Sequence, residues 1–395
     1  MANSQVIPPD TLAKKNVVVA ANRTDAYLPV LLGKKVGVVA NQTSIILKTT
    51  ETNPNAQNAK AEPMRYTHLV DSLLSLDIDV KKVFAPEHGF RGEADAGEKV
   101  KDGIDVTTGL SLISLYGKNR KPTAEQLEDL DIVLFDIQDV GVRFYTYIAT
   151  LQLVMEACAA SKVPLMVLDR PNPNGHYVDG PSMEKANTGF LGMTEIPLVY
   201  GMTIGEYAQM LNQEGWLEGG KKVDLKVITL KNWTYDTEYN LPVRPSPNLP
   251  NDKAINLYPS LGLFEGTNIN AGRGTEYQFQ RYGASFLDST QYSFNYTPIP
   301  NFGSKHPKEE GKKCYGKDLS EIPKMNEVSL QWLIDAYMNS QDKSKVFNTS
   351  GFTKHAGTTK LQQQIEAGLT EVEIKATWQD KLEKFKKLRS KYLMY

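Results

Sequence analysis

Five short runs rich in valine, isoleucine and leucine, set apart by stretches with helical spacing, constrain this chain more than any other feature. They are KKVGVVAN (Lys34–Asn41), VKKVFA (Val80–Ala85), DIVLFDI (Asp131–Ile137), PLMVLD (Pro164–Asp169) and VDLKVITL (Val223–Leu230). Apolar runs of this length without polar alternation suit strands buried on both faces. Between them lie MRYTHLVDSLLSL, with Leu69, Leu73, Leu74 and Leu76 near helical spacing, and YIATLQLVMEACAASK. A third helical stretch, TIGEYAQMLNQEGW, opens on Thr203 with Glu206 three residues later, the pairing of a capping box. Strands alternating with helices of this length predict an α/β domain with a mostly parallel sheet, whose strand order the sequence leaves open.

Past Leu241 the texture changes. Pro242, Pro245, Pro247, Pro250 and Pro259 crowd a segment without period, expected to be a linker or a long ordered surface loop. The remainder mixes short strands with helices and predicts a smaller α+β part. Its last helix should bury Leu382, Phe385, Leu388 and Leu393 on one stripe. A length of 395 residues fits two such domains, which we place at 16–240 and 241–395.

Several function classes fall away on composition. Lysine plus arginine (45) and aspartate plus glutamate (46) nearly cancel, so neither nucleic acid nor a membrane surface is an expected partner. No apolar run approaches the roughly 18 residues of a spanning helix. MANSQVIPPDTLAKKN has neither a basic n-region nor an apolar h-region, so no signal peptide is expected in this chain, which leaves the compartment open. Cys158 and Cys314 are too few for a disulfide scaffold or a cysteine-built zinc site. Cys158, within LVMEACAA, is expected to be a buried small hydrophobe. The five histidines lack metal-ligand spacing, and no metal or cofactor is expected, although Glu87, Asp136 and Asp139 could together hold magnesium. Nucleophile elbows, phosphate loops and the dinucleotide fingerprint are missing from the sequence.

Carboxylates gather where chemistry belongs in an open α/β sheet, beyond the carboxyl ends of the strands. The second run leads into Glu87-His88-Gly89 and Arg91, the third ends in Asp136 with Asp139 and Arg143 beyond it, and the fourth ends in Asp169-Arg170. Each has a plainer reading: a strand-end aspartate commonly caps the next helix, and Asp169-Arg170 has the makings of a local ion pair. That reading is weakest for Glu87, because PEHGFRGE has no helix to cap and its glycines imply a loop held against something. A fourth cluster, LFEGTNINAGRGTEYQFQRYG, sets Glu265, Asn268, Asn270, Arg273 and Glu276 among glycines. It suits a polyhydroxylated or anionic ligand as well as it suits a polar surface loop. What remains is carboxylate chemistry such as glycosidic cleavage, where an acid protonates the leaving oxygen and a second group attacks or activates water. Glu87 beside His88 and Arg91 fits the acid.

Four motifs in this order, FAPEHGFRGEADAGE, DIVLFDIQDVGVRFYTY, LDRPNPNGHYVDGP and FEGTNINAGRGTEYQF, resemble the NamZ family of exo-β-N-acetylmuramidases, a glycoside hydrolase family, from about Val36 to the C-terminus. The resemblance implies a Rossmann-like domain packed on a smaller C-terminal one, with the active site in the cleft between them. It also implies release of terminal β-1,4-linked N-acetylmuramic acid from the non-reducing end of peptidoglycan fragments, at a periplasmic or extracellular address, with a cytoplasmic one open. By motif, Glu87 is the catalytic carboxylate, and His88, Asp136, Arg143, Tyr145, Arg273 and Thr275 complete the pocket. Asp136, Asp139 or the substrate's own acetamido oxygen would supply the second group. Arg143 or Arg273 would meet the lactyl carboxylate, and Arg91, Asp139, Asp169, Arg170, Asn268, Asn270 and Glu276 are further substrate-binding candidates. The competing reading is a non-catalytic binder of muropeptides or sugar acids.

Overall fold

The computed structural model describes residues 16–48, 65–87, 89–91 and 102–395. All five apolar runs form strands: β1 (Val36–Ala40), β4 (Val80–Ala85), β7 (Ile132–Asp136), β8 (Leu165–Leu168) and β9 (Leu225–Ile228). β6 (Ser111–Ser114) joins them in parallel, and the two-residue β5 (Gly103–Ile104) adds an antiparallel edge. The sheet order is β5-β6-β4-β1-β7-β8-β9. Taking the parallel strands by chain position, this is the 3-2-1-4-5-6 order of a Rossmann sheet, with the chain reversing direction across the sheet between β1 and β7.

Strand alternation divides the core into two layers. Val133 and Phe135 pack with one hydrophobic cluster, while Ile132 and Leu134 pack with the other on the opposite face. Every one of these side chains is essentially buried, each worth roughly 1.5–3 kcal/mol of apolar transfer. The helix Tyr147–Ser161 lies over the first layer and ends on Lys162 in the left-handed conformation (φ 57°). Helix Ile204–Gln213 opens with the expected capping box, Thr203 and Glu206 each accepting from the other's backbone N–H.

Two local expectations change. Tyr66–His68 (β3) pairs antiparallel with Ile45–Leu47 (β2), so within MRYTHLVDSLLSL the helix takes only Leu69–Ser75, from the first of the spaced leucines. The proline-dense segment contains a helix, Asp252–Leu261, capped by Asn251 through Ala254 N–H at 2.9 Å. Pro259 sits inside it and cannot donate to the Ile255 carbonyl. Asn174 Nδ2 donates there instead, at 3.1 Å, which removes the cost that made a helix improbable from sequence.

The C-terminal part carries an antiparallel sheet, β10 (Arg281–Ala284), β12 (Cys314–Asp318) and β11 (Phe294–Tyr296) in that order, beside helices including Thr349–Ala356 and Gln379–Arg389. Of the last helix's stripe, Leu382 and Phe385 are buried, and Leu388 and Leu393 pack partly buried against the same cluster. The chain then returns to the large sheet, where Tyr395 Oη donates to Asp169 Oδ2 at 2.6 Å. Cys158 and Cys314 are both buried and unpaired with each other.

Candidate active site

Glu87 lies two residues beyond β4, where the chain leaves the sheet. Its Oε1 accepts from Tyr116 Oη at 3.2 Å, and its Oε2 from Thr146 Oγ1 at 3.4 Å. Tyr147 Oη donates to the Glu87 backbone carbonyl at 3.4 Å. Thr146 and Tyr147 stand at the start of the helix Tyr147–Ser161, which places both hydroxyls beside Glu87. Burial, then the charge of Glu87, pushes the Tyr116 phenol up to about 12, which keeps it a proton donor.

The carboxylate faces a cavity of about 320 Å³, within the usual size range of small-ligand clefts. Tyr145, Thr146 and Tyr147 line it from one side, and Asn248, Tyr258, Glu265, Arg273 and His355 from the other. Edge-to-face ring contacts hold the aromatic wall, with centroids 4.8 Å apart for Tyr145–Tyr147 and 4.7 Å for Tyr258–Phe279.

A second carboxylate, Glu265, stands in a different environment. Burial would raise its pKa, but Arg273 and then Lys308 hold it below the usual range, so it is ionised at neutral pH. Arg273 Nη1 donates to Glu265 Oε2 at 2.9 Å. Lys308 Nζ donates to the Phe264 and Glu265 carbonyls, both at 2.9 Å. His355 has its pKa lowered by burial, and its Nδ1 donates to the Gly351 carbonyl at 2.9 Å, which leaves Nε2 as an acceptor.

Of the residues singled out in the sequence, Glu87, Tyr145, Glu265 and Arg273 line this cavity. His88 lies outside the described residues. Arg91 is held by Asp71 (3.1 Å) and Asp105 (2.9 Å) and lies over the Phe90 ring, where it braces the loop. Asp136 is buried in a two-bond ion pair with Arg170 (2.6 and 2.8 Å). Burial works against the Arg170 charge, but Asp136 outweighs it and raises the guanidinium pKa. Asp139 accepts from Gly141 N–H at 2.7 Å and from the Tyr200 hydroxyl, and burial lifts its pKa to about 6.

Arg143 is fully buried and spends its terminal nitrogens on four backbone carbonyls, those of Pro181, Ile196, His355 and Ala356, at 2.7–3.0 Å. Asp169 accepts from Thr203 Oγ1 (2.7 Å), Gly205 N–H (2.8 Å) and Tyr395 Oη, and burial lifts its pKa to about 7. Asn268 Nδ2 donates to the Lys345 carbonyl at 2.7 Å, and Asn270 is buried, donating to the Arg273 and Lys308 carbonyls at 2.9 Å each. Thr275 Oγ1 closes a turn onto the Gly272 carbonyl at 2.7 Å, and Glu276 is exposed.

Tyr116, Thr146, Tyr147, Tyr258 and His355 complete the site beyond those candidates. Glu265 was legible as part of the glycine-rich cluster; the hydroxyls around Glu87 come from elements distant in sequence and carry no local signal. Among the described residues, no three His, Cys, Asp or Glu side chains converge as a metal site. A hollow of about 440 Å³ lined by Asn172, His176, Tyr235 and Lys324 is larger, but neither Glu87 nor the Glu265–Arg273 pair lines it.

Comparison with known proteins finds similarity along nearly the whole chain. Models described as the N-terminal and C-terminal parts of the exo-beta-N-acetylmuramidase NamZ match residues 36–253 and 256–395. The peptidoglycan beta-N-acetylmuramidase NamZ of Bacillus subtilis (strain 168) is 37% identical over 391 residues, covering 93% of this chain and 89% of that protein. A crystal structure of a DUF1343 family protein from Bacteroides fragilis NCTC 9343 superposes with a TM-score of 0.85 at 40% identity, covering 96% of this chain and 99% of that one. A second DUF1343 structure from the same organism gives 0.78 at 25% identity and the same coverage.

Proposed function

The chain belongs to the NamZ family of exo-β-N-acetylmuramidases, and from that footing we propose that the Glu87 cavity is its catalytic site. The protein is an exo-acting glycosidase that releases terminal β-1,4-linked N-acetylmuramic acid from the non-reducing end of peptidoglycan fragments. The observation that carries the assignment of the site is the Glu87 carboxyl, held by Tyr116 and Thr146 at the mouth of a cavity walled by both parts of the chain.

In this reading Glu87 gives its proton to the glycosidic oxygen as the bond from C1 breaks. Asp136 and Asp139 are committed to buried partners, and Glu265 is committed to Arg273. The attack on C1 therefore falls to the substrate's own acetamido oxygen, an attested exception to the two-carboxylate scheme. Water then opens the cyclic intermediate and returns a proton to Glu87, which acts as base in this half of the reaction. Arg273, fixed by Glu265 on one side, presents the guanidinium that meets the lactyl carboxylate. Asp136, through Arg170, and Arg143, through the carbonyls it holds, position the walls. Division of the chain at 16–240 and 241–395 places the break at the start of the proline-dense segment. No helix among the described residues is long and apolar enough to cross a membrane. We place its work outside the cytoplasmic membrane, where its substrate is.

The test is release of chromophore from the β-glycoside of 4-nitrophenyl N-acetylmuramic acid beside the N-acetylglucosamine analogue. Turnover of the muramic glycoside alone, reduced on the order of 10²–10⁴-fold by Glu87→Gln, is expected. Undiminished turnover by Glu87→Gln would remove Glu87 from the acid role.

A further inference from the structure

The wall of the Glu87 cavity continues outward into a basic groove. The turn Gly189–Gly192, closed by reciprocal backbone bonds of 3.0 and 2.9 Å, presents Leu191 to the cavity and Phe190 to the outside. Gly192 at its base lies against Arg143, where a Cβ would come within 3.0 Å of Arg143 Cδ and 2.4 Å of Met183 Cε, so the turn is pinned to the rigid interior. Phe190 separates two hollows of about 610 and 810 Å³, both of which it lines together with Arg120. The Arg120 guanidinium sits 4.0 Å from the Phe190 ring centroid. Tyr116, which holds Glu87, and Arg120 belong to one short loop, so this groove begins where the catalytic carboxyl is positioned.

Its charge is one-sided. Lys118, Arg120, Lys121 and Lys354 line the two hollows, and among the described residues no aspartate or glutamate does, in a chain whose net charge is −1. Lys121 is partly spent on Glu156 (3.0 Å) and Glu218 (2.7 Å), while Lys118, Arg120 and Lys354 are exposed. Concentrated cations next to an aromatic face suit an anionic carbohydrate: the ring offers a surface for a sugar and the cations meet its carboxylates.

We propose that this groove holds the glycan on the leaving-group side of the scissile bond, with Arg120 and Lys354 taking the lactyl carboxylate of the next muramic residue. The proposal rests on the exo-muramidase reading of the Glu87 cavity and adds to it a preference for strands long enough to reach a second muramic acid.

The test uses a trisaccharide that begins with N-acetylglucosamine and carries one internal N-acetylmuramic acid, compared with the same trisaccharide amidated at the lactyl carboxylate. With no terminal muramic residue it reports binding rather than turnover, by calorimetry on the full chain. The acid is expected to bind about tenfold tighter than the amide at low salt, with the gap narrowing as salt rises. The gap is expected to vanish in the double variant Arg120→Glu/Lys354→Glu, two exposed positions at which folding is little affected. Equal binding of acid and amide by the wild type, or an unchanged gap in the double variant, would overturn the proposal. A charge-dependent gap in a protein that releases no terminal muramic acid would uphold the groove and overturn the catalytic reading instead.

Discussion

Tyr116 and Glu87, 29 residues apart, are joined by a hydrogen bond in which the phenol donates to the carboxylate across 3.2 Å. A hydrogen bond of this kind contributes roughly 0.5–1.5 kcal/mol net, and here it also fixes the direction in which the carboxyl faces the cavity. Tyr116→Phe is expected to lower kcat/KM on the chromogenic muramic glycoside by on the order of tenfold. Chemical denaturation of the variant should show a stability change of under about 1 kcal/mol, which separates positioning from folding.

Arg143 contributes in the opposite sense. Arg143→Met leaves four buried carbonyls without their donor, and a loss of roughly 3–5 kcal/mol of unfolding free energy is expected. Arg143→Lys, whose single ammonium can reach only some of these carbonyls, should fall between. Denaturant midpoints for the three proteins check the order.

His68 lies beneath the loop that carries Glu87, edge-on to Phe90 at 4.7 Å. Its Nε2 donates to the Asn41 carbonyl at 2.9 Å and its Nδ1 accepts from Val70 N–H at 3.2 Å, so the folded state fits only the neutral ring. Burial lowers its pKa from 6.5 to about 4. The unfolded chain therefore takes up the proton first, and stability from this group is full above pH 6.5 and is lost as pH falls toward 4. Between pH 7 and 5 the wild type should lose about 2 kcal/mol more than His68→Gln. Asp139 and Asp169, raised by burial, titrate with the opposite sign but are common to both proteins and cancel in the difference.

Tyr395 ties the end of the chain to the sheet. Its hydroxyl donates to Asp169 and accepts from Leu230 N–H at 3.0 Å. Tyr395→Phe strands both partners, and equilibrium unfolding should report a loss of roughly 1–3 kcal/mol.

Gly266 packs directly on the helix that carries His355. A Cβ there would fall 2.3 Å from Phe352 Cα, a backbone contact that cannot yield without moving helix Thr349–Ala356. Gly266→Ala is expected to cut kcat/KM on the muramic glycoside more than tenfold while far-ultraviolet circular dichroism stays close to the wild type's.

Strands β1, β7 and β8 were legible because burial on both faces leaves an uninterrupted apolar run, as in IVLFD of β7. β6, written Ser-Leu-Ile-Ser and only partly buried, carries no such mark, and its place is set by pairing with β4. Helix Asp252–Leu261 was hidden by Pro259, because the remedy, Asn174, lies far back in the chain. The site followed the same division. Glu87 stood out by its loop context, whereas the strand-end residues Asp136, Asp139 and Asp169 look alike in sequence, and only their partners Arg170, Tyr200 and Thr203 show where each carboxylate is spent.

The bond from Asn174 to the carbonyl that Pro259 leaves open crosses from the large sheet's side of the molecule to the helix bearing Tyr258, and Arg143 crosses again to the helix bearing His355. Such rivets make the cavity a mould and not a pair of jaws. Walls tied across the molecule in this way hold Glu87 and the Glu265–Arg273 pair at a set spacing around an incoming sugar.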